Sequence, residues 1–136
     1  MGRGLSSIYL LDTCALLWWT LAPDHLSAAA AAACRSIESH GHGVLSAISI
    51  WEIGVKVKNG KLEIGVSIEQ YHRRLLDMNV LEIVPVEDSM WLKNLSLDWD
   101  HKDPADRTIV ALALLRSLEL VTRDERIRNF YPRCVW

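Results

Sequence analysis

Ile8-Tyr9-Leu10-Leu11-Asp12-Thr13 is the stretch whose reading decides the fold. Ile8 to Leu11 is apolar without interruption, too short for a helix and flanked by polar residues, which suits a strand buried on both faces. Thr13 to Leu21 then reads as a helix, so strand passes to helix across one acid, Asp12. The alternation repeats downstream. Pro23 and Asp24 break the chain, and Ser27 is placed to cap a helix begun by the alanines Ala28 to Ala33. Gly41-His42-Gly43 marks a turn before a second strand, Val44 to Ala47, and Ile48 to Lys58 is helically spaced up to the Asn59-Gly60 stop. A helix over Ser67 to Met78, a strand over Leu81 to Val86 ending at Pro85, and a helix carrying Met90, Trp91 and Leu95 follow. The strongest helical signal is Pro104 to Leu118, with Asp103 as N-cap, Pro104 at the first position and Asp106 at the third. Leu118 to Thr122 is a fourth strand, Arg123 to Phe130 a short helix, and Cys134 to Trp136 an edge strand. Strands separated by such helices pair in parallel through right-handed crossovers. The expected class is α/β: a three-layer α/β/α sandwich with a four- or five-stranded, mainly parallel sheet, residues 1–136 forming one domain.

Composition narrows the function. Half the 136 residues are hydrophobic and 24% are charged, the usage of a globule and not of a disordered or low-complexity binder. Fifteen Lys and Arg face seventeen Asp and Glu, so nucleic acid cannot be held by bulk charge and needs a local patch or cations. Cys14, Cys34 and Cys134 are odd in number and widely spaced, which excludes a disulfide framework and a zinc knuckle and points to the cytoplasm. The apolar stretch Ile8 to Ala22 carries Asp12 at its centre and is too short to span a bilayer, so no membrane association is expected. Met1-Gly2-Arg3-Gly4-Leu5-Ser6 fits a short myristoylation pattern, one loose enough to arise by chance.

In a parallel sheet, ligands bind beyond the carboxyl ends of the strands, and four acids map there. Asp12 ends the first strand, Asp124 follows the fourth, Asp106 is in the first turn of the long helix, and Glu52 lies one turn into the helix after strand two. Glu52 shares a face with Ile48, Trp51 and Val55, and Asp106 with Ile109, Val110 and Ala113. A carboxylate on an apolar stripe needs a compensating cation or hydrogen bonds. Capping alone explains Asp12, Asp103 or Asp124 one at a time, and a pair with Lys56 is available to Glu52, but neither explains the joint placement. Oxygen donors without Cys, and without histidines at i, i+4, select Mg²⁺ or Mn²⁺ over zinc. Such ions serve in-line attack on phosphorus. No G-x-x-x-x-G-K-[ST], G-x-G-x-x-G or G-x-S-x-G supports a nucleotide-binding or serine-hydrolase alternative.

Four segments in order then resemble the PIN-domain ribonucleases, and specifically the VapC-type toxins of bacterial toxin–antitoxin pairs. They are Leu-Leu-Asp-Thr at 10–13, Ser-Ile-Trp-Glu-Ile at 49–53 with Gly60-Lys61-Leu62 behind it, His-Lys-Asp-Pro-Ala-Asp-Arg at 101–107, and Leu-Val-Thr-Arg-Asp at 120–124. The resemblance runs from Tyr9 to the C-terminus. It implies a metal-binding and catalytic quartet of Asp12, Glu52, Asp106 and Asp124, with Mg²⁺- or Mn²⁺-dependent cleavage of RNA. Thr13, Ser49, Asp103 and Thr122 are read as hydrogen-bonding support for that quartet, Asp103 also as a helix cap. Arg107, Arg123 and Arg126 flank the acids and are candidates for RNA phosphates. His101 is a weaker candidate for contact with RNA. Trp18 and Trp19, with Leu16, Leu17 and Leu21, make the first helix apolar nearly all round, more than one core face needs. That excess suits a partner surface, and the resemblance implies a homodimer and a small cognate antitoxin. The main alternative is a non-catalytic α/β binding module whose acids are only caps and whose Trp-rich first helix is the function. A phosphotransfer receiver would need a second acid beside Asp12, which is absent, and the acids alone do not distinguish RNA from DNA.

Overall fold

The computed structural model describes residues 7–136, so the myristoylation-like stretch lies outside the described residues. Among these residues five strands form one sheet: β1 (Tyr9–Leu11), β2 (Gly43–Ser46), β3 (Leu81–Val84), β4 (Glu119–Val121) and β5 (Cys134–Val135). Their order is β3-β2-β1-β4-β5 and every neighbouring pair is parallel. The chain therefore builds outward from the central β1 to one edge, returns, and builds to the other. The point where the order reverses lies between β1 and β4, which puts the crevice of a doubly wound sheet beside Asp12 and Asp124.

Among the described residues seven α-helices cover the sheet: α1 (Thr13–Leu21), α2 (Ala28–His40), α3 (Ala47–Lys58), α4 (Ile68–Asp77), α5 (Asp88–Ser96), α6 (Pro104–Arg116) and α7 (Glu125–Phe130). Strand alternation divides the core in two. Leu10, Val44 and Leu120 point to one face and pack with Ile109, Val110, Leu112 and Ile127 of α6 and α7. Leu11, Leu45 and Val121 point to the other and pack with Leu16, Trp19, Ala33, Ile37 and Leu75 of α1, α2 and α4. The three-layer α/β/α expectation holds, with five strands.

Local signals set the boundaries. Asp12, Ser27, Asp103 and Asp124 each accept a backbone N–H at the start of α1, α2, α6 and α7. Ser67 and Gln70 form a reciprocal capping box on α4, so that helix begins at Ile68 and not at Ser67. The break expected at Pro23 and Asp24 takes the form of a single 3₁₀ turn over residues 23–25. The fourth strand and the long helix are each shorter than the sequence suggests, because Ser117 leaves the helix at φ 54° and Leu118 is taken up in the turn. Arg123 and Asp124 likewise precede α7 instead of opening it. Gly43 is where β2 needs a glycine, since a Cβ there would lie 2.6 Å from Leu81 and 2.7 Å from Ile37.

Candidate active site

Asp12 leaves the carboxyl end of the central strand and is only 5% exposed. Its Oδ1 accepts the Ala15 N–H at 2.8 Å and its Oδ2 accepts the Thr122 hydroxyl at 2.5 Å. Both oxygens are thus engaged within the chain, although each retains a further lone-pair direction for a cation. Thr122 Oγ1 also accepts the Asp124 N–H at 3.0 Å, so one hydroxyl sets the two acids side by side. Burial pushes the Asp12 carboxyl up to about 6, against the Thr122 and Ala15 hydrogen bonds, while the negative charges of Asp106 and Asp124 add to the rise.

Asp106 stands in the first turn of α6, where Asp103 Oδ1 caps its backbone N–H at 2.9 Å. Its Oδ2 lies 2.8 Å from His101 Nε2. Arg126 Nη1, 3.3 Å from His101 Nδ1, is only a donor, so Nδ1 accepts and the ring proton sits on Nε2, aimed at Asp106. Burial raises the Asp106 carboxyl, opposed by the His101 hydrogen bond and reinforced by the charges of Asp103 and Asp124. His101, a minor candidate in the sequence, is thus a direct partner of a predicted ligand. The signal was its position five residues ahead of Asp106, across a Pro that turns the chain.

Glu52 lies at the margin of the buried side of α3. Ile48 is buried as expected, but Trp51 is 58% exposed, because adjacent residues are roughly 100° apart around a helix. The apolar stripe runs through Ile48 and Ile53, and Glu52 faces the cleft beside it. Its Oε2 is 3.8 Å from Lys56 Nζ, whereas Oε1 is buried without a hydrogen-bond partner. Ser49 does not reach the cleft; it is fully buried and bonds Thr13 at 2.9 Å, tying the start of α1 to α3.

These elements enclose a cleft of about 470 Å³ lined by Asp12, Glu52, Asp103, Asp106 and Asp124, with Lys56 and Arg123 as its only cations among the described residues. Five acids against two bases is an unbalanced lining, and like charges in a partly dry site raise each other's proton affinity. Among the described residues no three His, Cys, Asp or Glu side chains stand together as a preformed metal cluster. The donor set nevertheless fits a hard divalent cation: all oxygen, one carboxylate oxygen orphaned, and two carboxyls raised above their ordinary range by burial and, to a lesser degree, by the acids beside them. Cys14 also borders the cleft, and burial, then the nearby Asp12, pushes its thiol up to about 11, which keeps it a neutral thiol at neutral pH.

The three arginines separate. Arg123 lines the cleft, with its guanidinium 5.6 Å above the Trp18 ring. Arg126 lies at the His101 side. Arg107, expected to contact phosphate, is turned inward and holds the carbonyls of Asn94, Leu97, Trp99 and His101 and the Asn94 side chain, leaving it no donor for a substrate. The first helix is also less of a free surface than its composition suggests. Leu16 and Trp19 are buried, Leu17 packs into the core, and Trp18 stacks on His25 and meets Trp136. Leu21 is the large apolar residue of α1 that stays open.

A family model described as PIN domain matches residues 9–131. Ribonuclease VapC22 of Mycobacterium tuberculosis (strain ATCC 25618 / H37Rv) is 30% identical over 128 residues, covering 93% of this chain and 95% of that protein. Among solved structures, a chain of a toxin-antitoxin complex from Klebsiella pneumoniae aligns with a TM-score of 0.64 at 22% identity, over 96% of this chain and 97% of that one. FitAcB from Neisseria gonorrhoeae gives 0.57 at 24% identity, over 88% and 89%. At these identities the structural matches speak to the fold.

Proposed function

Because this chain belongs to the PIN-domain family, we propose that it is a single-domain endoribonuclease, the toxin of a toxin–antitoxin pair, with Asp12, Glu52, Asp106 and Asp124 as its metal-binding acids. Similarity to a named ribonuclease along nearly the whole length of both chains supports the reaction. The observation that carries the site is the joint placement of Glu52, with one buried oxygen orphaned, and the raised carboxyls of Asp12 and Asp106 in one cleft at the sheet's switch point.

Mg²⁺ or Mn²⁺ held there would supply an activated water for in-line attack on phosphorus and charge for the leaving oxygen. The chain's own residues do the rest. Thr122 and the capping N–H groups fix the orientation of Asp12 and Asp124; His101 fixes Asp106. Arg123 at the rim supplies positive charge where an incoming phosphate would otherwise meet only acids. A small antitoxin that covers the cleft, and a homodimer, are the proposed assemblies in a cytoplasmic setting. The Klebsiella pneumoniae neighbour, solved as part of a toxin-antitoxin complex, and the exposed Trp51, Leu92 and Leu95 support such partners. Three free cysteines, and no helix among the described residues long and apolar enough to cross a membrane, agree with that setting.

The test is cleavage of single-stranded RNA in Mn²⁺ and in EDTA by the wild type, Asp12→Asn and Asp106→Asn. Cleavage should require the metal and fall by at least ~10²-fold in each variant. A second reading, a binding module with the acids as caps, has a specific observation behind it, since Asp12, Asp103 and Asp124 do cap helices. It wins if the wild type leaves RNA intact in Mn²⁺, whereas cleavage that survives EDTA and both substitutions would take the metal and these acids out of the reaction.

A further inference from the structure

A second, larger cavity of about 740 Å³ adjoins the acid cleft. His101 links the two: it lines this cavity, its Nε2 bonds Asp106 in the acid cleft, and its Nδ1 meets Arg126 on the cavity side. Trp99 and Phe130 are stacked with ring centroids 4.6 Å apart and form the apolar side, with His101 tilted against Trp99 at 4.9 Å. Lys102 and Arg126 supply two cations, Asn129 an amide that both donates and accepts, and Asp100 a single carboxylate. The sign of the charge therefore reverses across one histidine, from acidic to basic. Aromatic surface, cations and a bifunctional amide in one cavity of small-ligand size is the chemistry that holds an unpaired nucleotide: stacking for the base, cations for phosphate, an amide for the base edge.

We propose that this cavity binds the nucleotide next to the scissile phosphate and that Asn129 and Lys102 help determine which RNA is cut. The inference rests on the ribonuclease reading and adds a substrate subsite to it. Lys102, Asn129 and Arg126 are all exposed, so replacing them need not disturb the core. The geometry gives them separable roles: Lys102 meets the backbone charge, Asn129 the base.

The experiment has two arms. A randomised single-stranded RNA is cleaved in Mn²⁺ by the wild type, Asn129→Ala and Lys102→Ala, and the product ends are sequenced. In EDTA, without turnover, RNA carrying 4-thiouridine is photo-crosslinked to the wild type and the adduct mapped. Lys102→Ala should raise KM roughly 5- to 10-fold for all sequences, and Asn129→Ala should flatten the base preference on one side of the cut, with kcat held within about twofold in both. Crosslinks should fall on Trp99, Phe130 or His101. If both variants keep the wild-type KM and base preference and the crosslinks map elsewhere, the subsite is refuted while the nuclease stands. If the wild type neither cleaves RNA in Mn²⁺ nor crosslinks to it, the ribonuclease reading fails and takes the subsite with it.

Discussion

Asp12 is the residue at which folding and chemistry oppose one another. Its carboxyl is pushed up to about 6, first by burial, so the folded chain prefers it neutral while the unfolded chain ionises it at the ordinary carboxylate value. The stability this preference contributes is present in full below the unfolded value and is lost as pH rises through about 6, amounting to ~3 kcal/mol by pH 7. Asp106 is raised in the same sense, again by burial. In chelator, therefore, the midpoint for urea unfolding should climb as pH is lowered from about 7 to about 5, and Asp12→Asn should remove most of the slope. A slope that survives the substitution would assign the effect to other groups. Asp12, Asp106 and Asp124 were legible in the sequence because each sits at a strand end or helix start, positions that periodicity and cap signals locate. Glu52 was legible only by its address on α3; its orphaned oxygen depends on a cleft assembled from three separate elements. For the pairing of His101 with Asp106, the five-residue spacing across Pro104 was the only hint, since the contact itself depends on the loop folding back over α6.

At the scale of the element, that loop is organised by Arg107. From the first turns of α6 its guanidinium reaches the carbonyls of Asn94, Leu97, Trp99 and His101, fastening the end of α5 and the following loop to the helix that carries Asp106. Its place beside an acid in the sequence suggests phosphate; the folded chain instead offers it four part-buried carbonyls and an amide oxygen, and a planar five-donor fork satisfies them. Lysine keeps the charge but has neither the fork nor enough donors. Arg107→Lys should lower stability by ~2–4 kcal/mol in denaturant titration and reduce RNA cleavage with it; stability within ~0.5 kcal/mol of wild type would show that the loop holds itself. Gly43 is the corresponding position in the sheet. A turn glycine was legible from Gly41-His42-Gly43, but not that β2 itself needs no side chain there, because the crowding comes from Ile37 on α2 and from Val80 and Leu81 at the start of β3. Gly43→Ala should cost about 1–3 kcal/mol in the same titration, with the circular-dichroism spectrum unchanged.

Across the whole molecule, the order β3-β2-β1-β4-β5 brings together acids that are up to 112 positions apart in the sequence, Asp12 and Asp124 at its extremes. The sequence made this arrangement legible as a class, since strands alternating with helices admit few parallel topologies, and the switch point follows from the order. What alternation could not show is which apolar surplus stays outside. The first helix is largely absorbed by the core and by contacts with His25 and Trp136, while Leu92 and Leu95 on α5 and Trp51 on α3 remain open. Gathering five acids at one crevice costs the fold repulsion among like charges, and a cation binding only the folded state would offset it. At a hundred times its dissociation constant, Mn²⁺ should add ~2.7 kcal/mol, roughly 5 to 10 °C in Tm for a chain of this size. Asp12→Asn and Asp106→Asn should show much less of that shift, yet in EDTA should melt at or above the wild-type temperature, because each removes one of the repelling charges. Differential scanning calorimetry of the three proteins, each with Mn²⁺ and with EDTA, separates the possibilities without any knowledge of the RNA. Acids that serve only as helix caps would give no response to Mn²⁺ in any of the three, and Asp12→Asn would melt lower in EDTA, since an amide is the weaker acceptor for both the Ala15 N–H and the Thr122 hydroxyl.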